Sequence, residues 1–168
     1  MTTSARPGVR PPHLLALVAA GASLTGCGNA VTAEVVGTAA ITVAADGTPI
    51  ALVRVCRGEV DTVRISGDRA GLADDEPNPT LGIWRARGGQ DGLVELALHA
   101  ANDGWSGPDD LPLAAGRPYI LTAADADEDA ETTQVSFTTD QLERMTPDQV
   151  IVGDGSIEPR SGFGACDR

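Results

Sequence analysis

From Ala40 to Thr138 the apolar residues come in short runs, many with every second position polar, and Gly, Pro, Asp and Asn clusters separate them. That spacing is the period of a β-strand with one buried face, and it is too short for an amphipathic helix. Ile41 to Ala44 and Ile50 to Cys56 flank Ala45-Asp46-Gly47-Thr48, which predicts two strands joined by an Asp-Gly turn. Val60 to Ile65 reads as a further strand, with Val63 and Ile65 on one face and Thr62 and Arg64 on the other. Gly67 to Pro79 carries Asp74-Asp75-Glu76-Pro77-Asn78-Pro79 and is a loop. Strands are then expected at Leu81 to Arg87 and at Leu93 to His99, where Val94, Leu96 and Leu98 share a face, before another loop from Asn102 to Pro112. Tyr119 to Ala124 and Thr132 to Thr138 flank the acidic turn Asp125 to Glu131 and should pair as a hairpin.

Asp140 followed by Glu143 has capping-box spacing, and Pro147 ends what would be one short C-terminal helix. The pattern therefore predicts an all-β domain over residues 38–152, an antiparallel β-sandwich of about seven strands, followed by a Gly-rich tail at 153–168.

The first residues follow a different rule. Arg6, Arg10 and His13 precede the apolar run Leu14 to Leu24, and no acidic residue occurs before Glu34. This is the pattern of a secretory signal peptide, here expected at 1–26, and the run is shorter than the roughly 20 residues that cross a bilayer as a helix. Residues 27–37 are small and weakly patterned, as expected of a tether.

The run ends in Leu24-Thr25-Gly26-Cys27, which resembles the lipobox of bacterial lipoproteins. The resemblance implies a diacylglyceryl group on the Cys27 thiol, cleavage between Gly26 and Cys27, and a membrane partner reached through the lipid at the extracytoplasmic face. An ordinary signal peptide cut near Ala20 to Ser23 is the alternative, with Cys27 left as a thiol. Leu113-Ala-Ala-Gly116-Arg-Pro-Tyr119-Ile-Leu121 is similar to the approach to the penultimate strand of immunoglobulin-like and fibronectin type III domains. That similarity implies a tyrosine corner, in which the Tyr119 hydroxyl bonds backbone upstream. The wider order of Asp-Gly hairpin, Cys-Arg-Gly strand, Trp strand and tyrosine segment resembles small lipoproteins of high-GC Gram-positive bacteria, a family that brings no activity with it.

Charge narrows the function. The 24 carboxylates face 12 basic residues, all arginine, for a net charge of −12, and removal of Arg6 and Arg10 with the signal leaves the chain more acidic still. Generic nucleic-acid binding is disfavoured, because it rests on a basic surface. A 42% hydrophobic content supplies a core, and the 20 glycines and 11 prolines suit many turns. Cys56 and Cys166 are an even pair, expected to form a disulfide in an oxidising compartment; two free thiols are the alternative. Cys56 lies on the face opposite Ala51, Val53 and Val55, so the bridge would pin the tail across the outside of the sheet.

Candidate chemistry is sparse. Asp125, Asp127 and Asp129 match the first, third and fifth positions of an EF-hand loop, but Ala130 replaces its glycine and Ser136 its bidentate glutamate. No metal ligand set, phosphate loop or cofactor fingerprint is found. His99 shares the Glu95 face and reads as a surface residue, and Gly104-Trp-Ser-Gly-Pro108 places proline where a nucleophile elbow needs glycine. Trp105, in a Gly, Asp and Pro loop, is the candidate interaction residue for an envelope protein or glycan, unless it folds back to cap the sandwich. The expected function is a membrane-anchored, non-catalytic envelope binding module. The alternatives are a small extracellular hydrolase using two carboxylates, and a cation-binding domain.

Overall fold

A computed structural model describes residues 33–98 and 103–166, in which nine strands and one short helix form a sandwich- or barrel-like sheet. β1 (Glu34–Val43) and β2 (Pro49–Gly67) meet as the Asp-Gly signal predicts. The Gly47 N–H donates to the Ala44 carbonyl at 3.0 Å and the Thr48 N–H to the Asp46 carboxylate at 3.0 Å, with Gly47 at φ 86°. A positive φ at this position lets a three-residue loop match the strand twist, which is why glycine stands there.

Two long strands replace four expected ones. β2 continues through Cys56–Glu59 instead of turning, and β3 (Thr80–Ala97) continues through Arg87–Gly89. Each strand bulges where its partner does not: Val55 pairs Gly92, Val60 pairs Gln90 and Thr62 pairs Arg85. The two bulges offset one another, so the hairpin bends yet keeps its register. Gly58, at φ 64°, lies within the bulged stretch of β2.

That bend closes the sheet. β3 follows one edge of β2 throughout, while the other edge takes β1 against Pro49–Val55 and β5 (Pro118–Ala124) against Thr62–Gly67. β6 (Ala130–Thr133) bridges these two, parallel to β1 and antiparallel to β5. β4 (Trp105–Ser106) lies on β3, and β7 (Val135–Thr138) on β5. β8 (Gln149–Val152) joins β1 and carries β9 (Ser156–Pro159), so part of the expected unpatterned tail is a strand. The strand β1 also takes in Glu34–Gly37, which the sequence assigns to the tether. Gly37 is required there, because a Cβ would sit 1.9 Å from the Arg54 carbonyl oxygen.

The enclosed core holds Ile41, Val53, Val63, Ile65, Trp84, Leu96, Leu121 and Phe137, all essentially without solvent exposure. Trp84 fits because Gly82 and Gly107 lie against its ring; a Cβ at Gly107 would come 2.3 Å from Cδ1. The Tyr119 hydroxyl accepts from the Ala114 N–H at 2.6 Å, the upstream backbone bond expected of it. The helix α1 (Thr139–Arg144) is present, but its capping box is Thr138 with Gln141, two residues before the expected Asp140 and Glu143. The reason is local: Thr138 is the last residue of β7 and already has the extended backbone an N-cap needs.

Outside the sheet a second apolar cluster, Ala40, Leu52 and Val150, is covered by Phe163. Cys56 and Cys166 are bonded at 2.03 Å, 110 residues apart in sequence, and hold the C-terminal segment over this face. Arg160 adds an ion pair to Glu95 of β3 at 2.6 Å.

Candidate functional site

A groove of about 630 Å³ lies on the outer face of the bent hairpin. Its floor comes from alternating outward positions on three neighbouring strands: Thr62 and Arg64 of β2, Arg85 of β3, and Thr122 and Ala124 of β5. Asp61, Glu131 and the acidic turn after β5 form its walls.

The turn is built by its own backbone. The Asp125 N–H donates to the Ala130 carbonyl at 3.0 Å, and the Asp125 carboxylate accepts from the Ala130 N–H at 3.1 Å. The Glu34 N–H donates to the Asp129 carbonyl at 2.7 Å and ties the turn to the start of β1. Glu128 sits at φ 59°, a conformation costly for a residue with a Cβ, and its carboxylate accepts from Arg64 Nη2 at 2.6 Å. Both partners are substantially exposed, so the pair contributes at most about 1 kcal/mol to stability and chiefly fixes the position of the guanidinium.

Both arginines that line the groove carry donors without an acceptor among the described residues. Arg64 Nε is buried and makes no hydrogen bond. Arg85 is exposed; its carbonyl accepts from the Ser106 hydroxyl, but among the described residues its guanidinium has no ion pair or hydrogen bond. A shallower concavity continues past Asp61 and Asp125 to Glu59, Asp91 and Gly89. Gly89 lies against the exposed side chain of Glu59. A separate cavity of about 390 Å³, largely apolar, opens beyond the other end of β1 between the Asp46 turn and α1, against Val43, Leu113, Leu142 and Met145.

The residues singled out from sequence fall in different places. Cys27 and His99 lie outside the described residues. Cys56 and Cys166 form the bridge described above, with Cys56 on the outer face. Trp105 is half-buried: β4 pairs it with Ala86, and its side chain packs against the main core, the folded-back alternative to an exposed anchor. The Asp74 loop is organised by Arg69, whose guanidinium donates to the carbonyls of Ala73, Asp74 and Glu76, and it does not line the groove.

Among the described residues no three His, Cys, Asp or Glu side chains gather as metal ligands. Within the turn, Asp125 is engaged by its own backbone and Glu128 by Arg64, while Asp127 and Asp129 are exposed. Sequence reasoning missed Arg64 and Arg85 as a pair. Their outward positions were legible, but their adjacency depends on the pairing of Thr62 with Arg85 across the two bulges. Comparison with protein-family models, with curated proteins and with solved structures finds no match for the chain.

Proposed function

We propose that the protein is an exported lipoprotein, anchored through Cys27, whose β-domain is a non-catalytic binding module at the extracytoplasmic face of the membrane. The observation that carries this reading is the bridge between Cys56 and Cys166, because such bonds persist in oxidising compartments outside the cytosol. The sequence before it supplies the matching export signal and the lipobox-like Leu24-Thr25-Gly26-Cys27. Two or more acyl chains on one residue hold a membrane stably, whereas a single chain holds only marginally. The acidic domain is repelled by an anionic surface, so the lipid and not the protein surface makes the attachment.

The finer fold reading is an immunoglobulin- or fibronectin-type-III-like sandwich. It draws support from the Tyr119 hydroxyl bonded to Ala114, five residues upstream. The bent hairpin of β2 and β3 presents a groove on a sheet floor.

Expression of the full chain and of Cys27→Ala in a lipoprotein-processing host, followed by fractionation, tests the anchor. The parent should partition with membranes and Cys27→Ala should leave the membrane fraction. Equal membrane association of both would overturn the reading.

A further inference from the structure

We propose that the groove over β2, β3 and β5 binds a small zwitterion, a free amino acid or short peptide, with the guanidinium groups of Arg85 and Arg64 taking its carboxylate and the acidic wall taking its ammonium. This rests on reading the domain as a binding module, and it gives that module a site and a ligand class.

The floor places two guanidinium groups together. Thr62 pairs with Arg85 and Arg64 lies two residues further along β2, so the two arginines are diagonal neighbours on one face, with Cβ atoms about 7–8 Å apart or less. Long side chains from such positions reach a common point, where a carboxylate can accept from both.

The donors are also unsatisfied. Glu128 engages Nη2 of Arg64 but leaves Nε buried with no acceptor among the described residues. Among the described residues the Arg85 guanidinium has no ion pair, although Asp61 and Glu131 line the same groove and the chain holds 24 carboxylates for 12 basic residues.

The walls then select the ligand. A simple anion meets repulsion from Asp61, Glu131 and the net charge of −12, and a simple cation meets two guanidinium groups. A molecule carrying both charges is favoured at both ends, and each wall rejects the wrong class. Asp125 and Glu128 already have partners, which leaves Asp61 and Glu131 for the ammonium, although Asp61 also accepts from the Thr62 hydroxyl at 2.9 Å. The volume, about 630 Å³, falls within the roughly 300–1,000 Å³ of small-molecule sites.

The test is a titration of the full-length, ¹⁵N-labelled protein in detergent, followed through its arginine Nε–H and backbone signals. The probes are the dipeptide Ala-Ala, L-alanine, N-acetyl-Ala-Ala, Ala-Ala amide and phosphoethanolamine. Ala-Ala or alanine should shift the Arg64 Nε–H and the Thr62 and Thr122 amides saturably. Either cap should weaken binding by roughly tenfold or more, as should Arg85→Gln, the loss expected when a charge-assisted hydrogen bond is removed. Arg117→Gln, an exposed arginine away from the groove, should leave affinity unchanged. Absence of saturable shifts, equal binding of capped forms, unchanged affinity in Arg85→Gln, or binding of phosphoethanolamine alone would each overturn the proposal. Because membrane release of Cys27→Ala is scored separately, an anchored protein that ignores the dipeptide overturns this site and leaves the anchor standing.

Discussion

Replacing both bridging cysteines, Cys56→Ser with Cys166→Ser, should remove the largest single restraint on the unfolded chain. In the chain-entropy account, a closure spanning 110 residues lowers unfolded-state entropy by an amount worth about 4.8 kcal/mol at 25 °C, an upper figure. The native state gives some of this back. Without the bond the C-terminal segment is held by Phe163 on Ala40, Leu52 and Val150 and by an exposed ion pair from Arg160 to Glu95, the latter contributing no more than about 1 kcal/mol. Local release of that segment therefore softens the loss, and a net destabilisation of about 3–5 kcal/mol is expected. For a domain of this size that lowers Tm by roughly 10–20 °C. Thermal melts followed by circular dichroism, with and without reductant, measure the first part. Hydrogen exchange measures the second: the Arg160 N–H, bonded to the Asp148 carbonyl at 2.7 Å, should lose protection while β1 and β2 keep theirs. A drop in Tm below about 3 °C, or an Arg160 amide as protected as in the parent, would refute the reasoning.

Other outcomes follow from single contacts. Tyr119→Phe leaves the Ala114 N–H without the hydroxyl it bonds at 2.6 Å and should cost about 1–3 kcal/mol in urea unfolding, with an unchanged m-value. Gly37→Ala should cost at least about 1–3 kcal/mol, since its Cβ would fall 1.9 Å from a backbone oxygen; Gly88→Ala, with nothing within 4 Å, should be near neutral in the same assay. Asp148 titrates below the ordinary aspartate range because the Thr146 hydroxyl, and then its own backbone N–H, donate to its carboxylate. The small stabilisation from these bonds is present above the unfolded-state pKa and lost as pH falls through the lowered one. Thr146→Val should move the Asp148 midpoint upward in an NMR titration, and an unmoved midpoint would exclude the hydroxyl as the cause.

The local rules were legible and the long-range pairing was not. Asp46-Gly47 announced its hairpin because a tight turn restricts residue type, and Cys56 announced its outward side because parity along β2 is fixed by the pleat. The bend in β2 was hidden, because Arg57-Gly58-Glu59 reads equally as a turn or as a bulge, and only pairing with β3 decides between them. The helix start was misplaced for a related reason: Asp140 and Thr138 both suit an N-cap by residue type, and the end of β7 selects Thr138. Trp105, among polar neighbours, left an exposed anchor and a folded-back cap both open; its packing against the core, with Gly107 against Trp84, takes the second, a contact between distant segments that composition does not encode. The groove needed all of this at once, since Arg64 and Arg85 become neighbours only through a register that two bulges set.

The most direct test of the central claim, export with lipid anchoring and a latched domain, is the intact mass of the protein from a lipoprotein-processing host, before and after reduction. The account predicts an N-terminus at Cys27, added acyl mass on that residue, and a gain of two hydrogen atoms on reduction of the bridge between Cys56 and Cys166. A chain cut elsewhere without acyl mass, or one whose mass does not change on reduction, would contradict it.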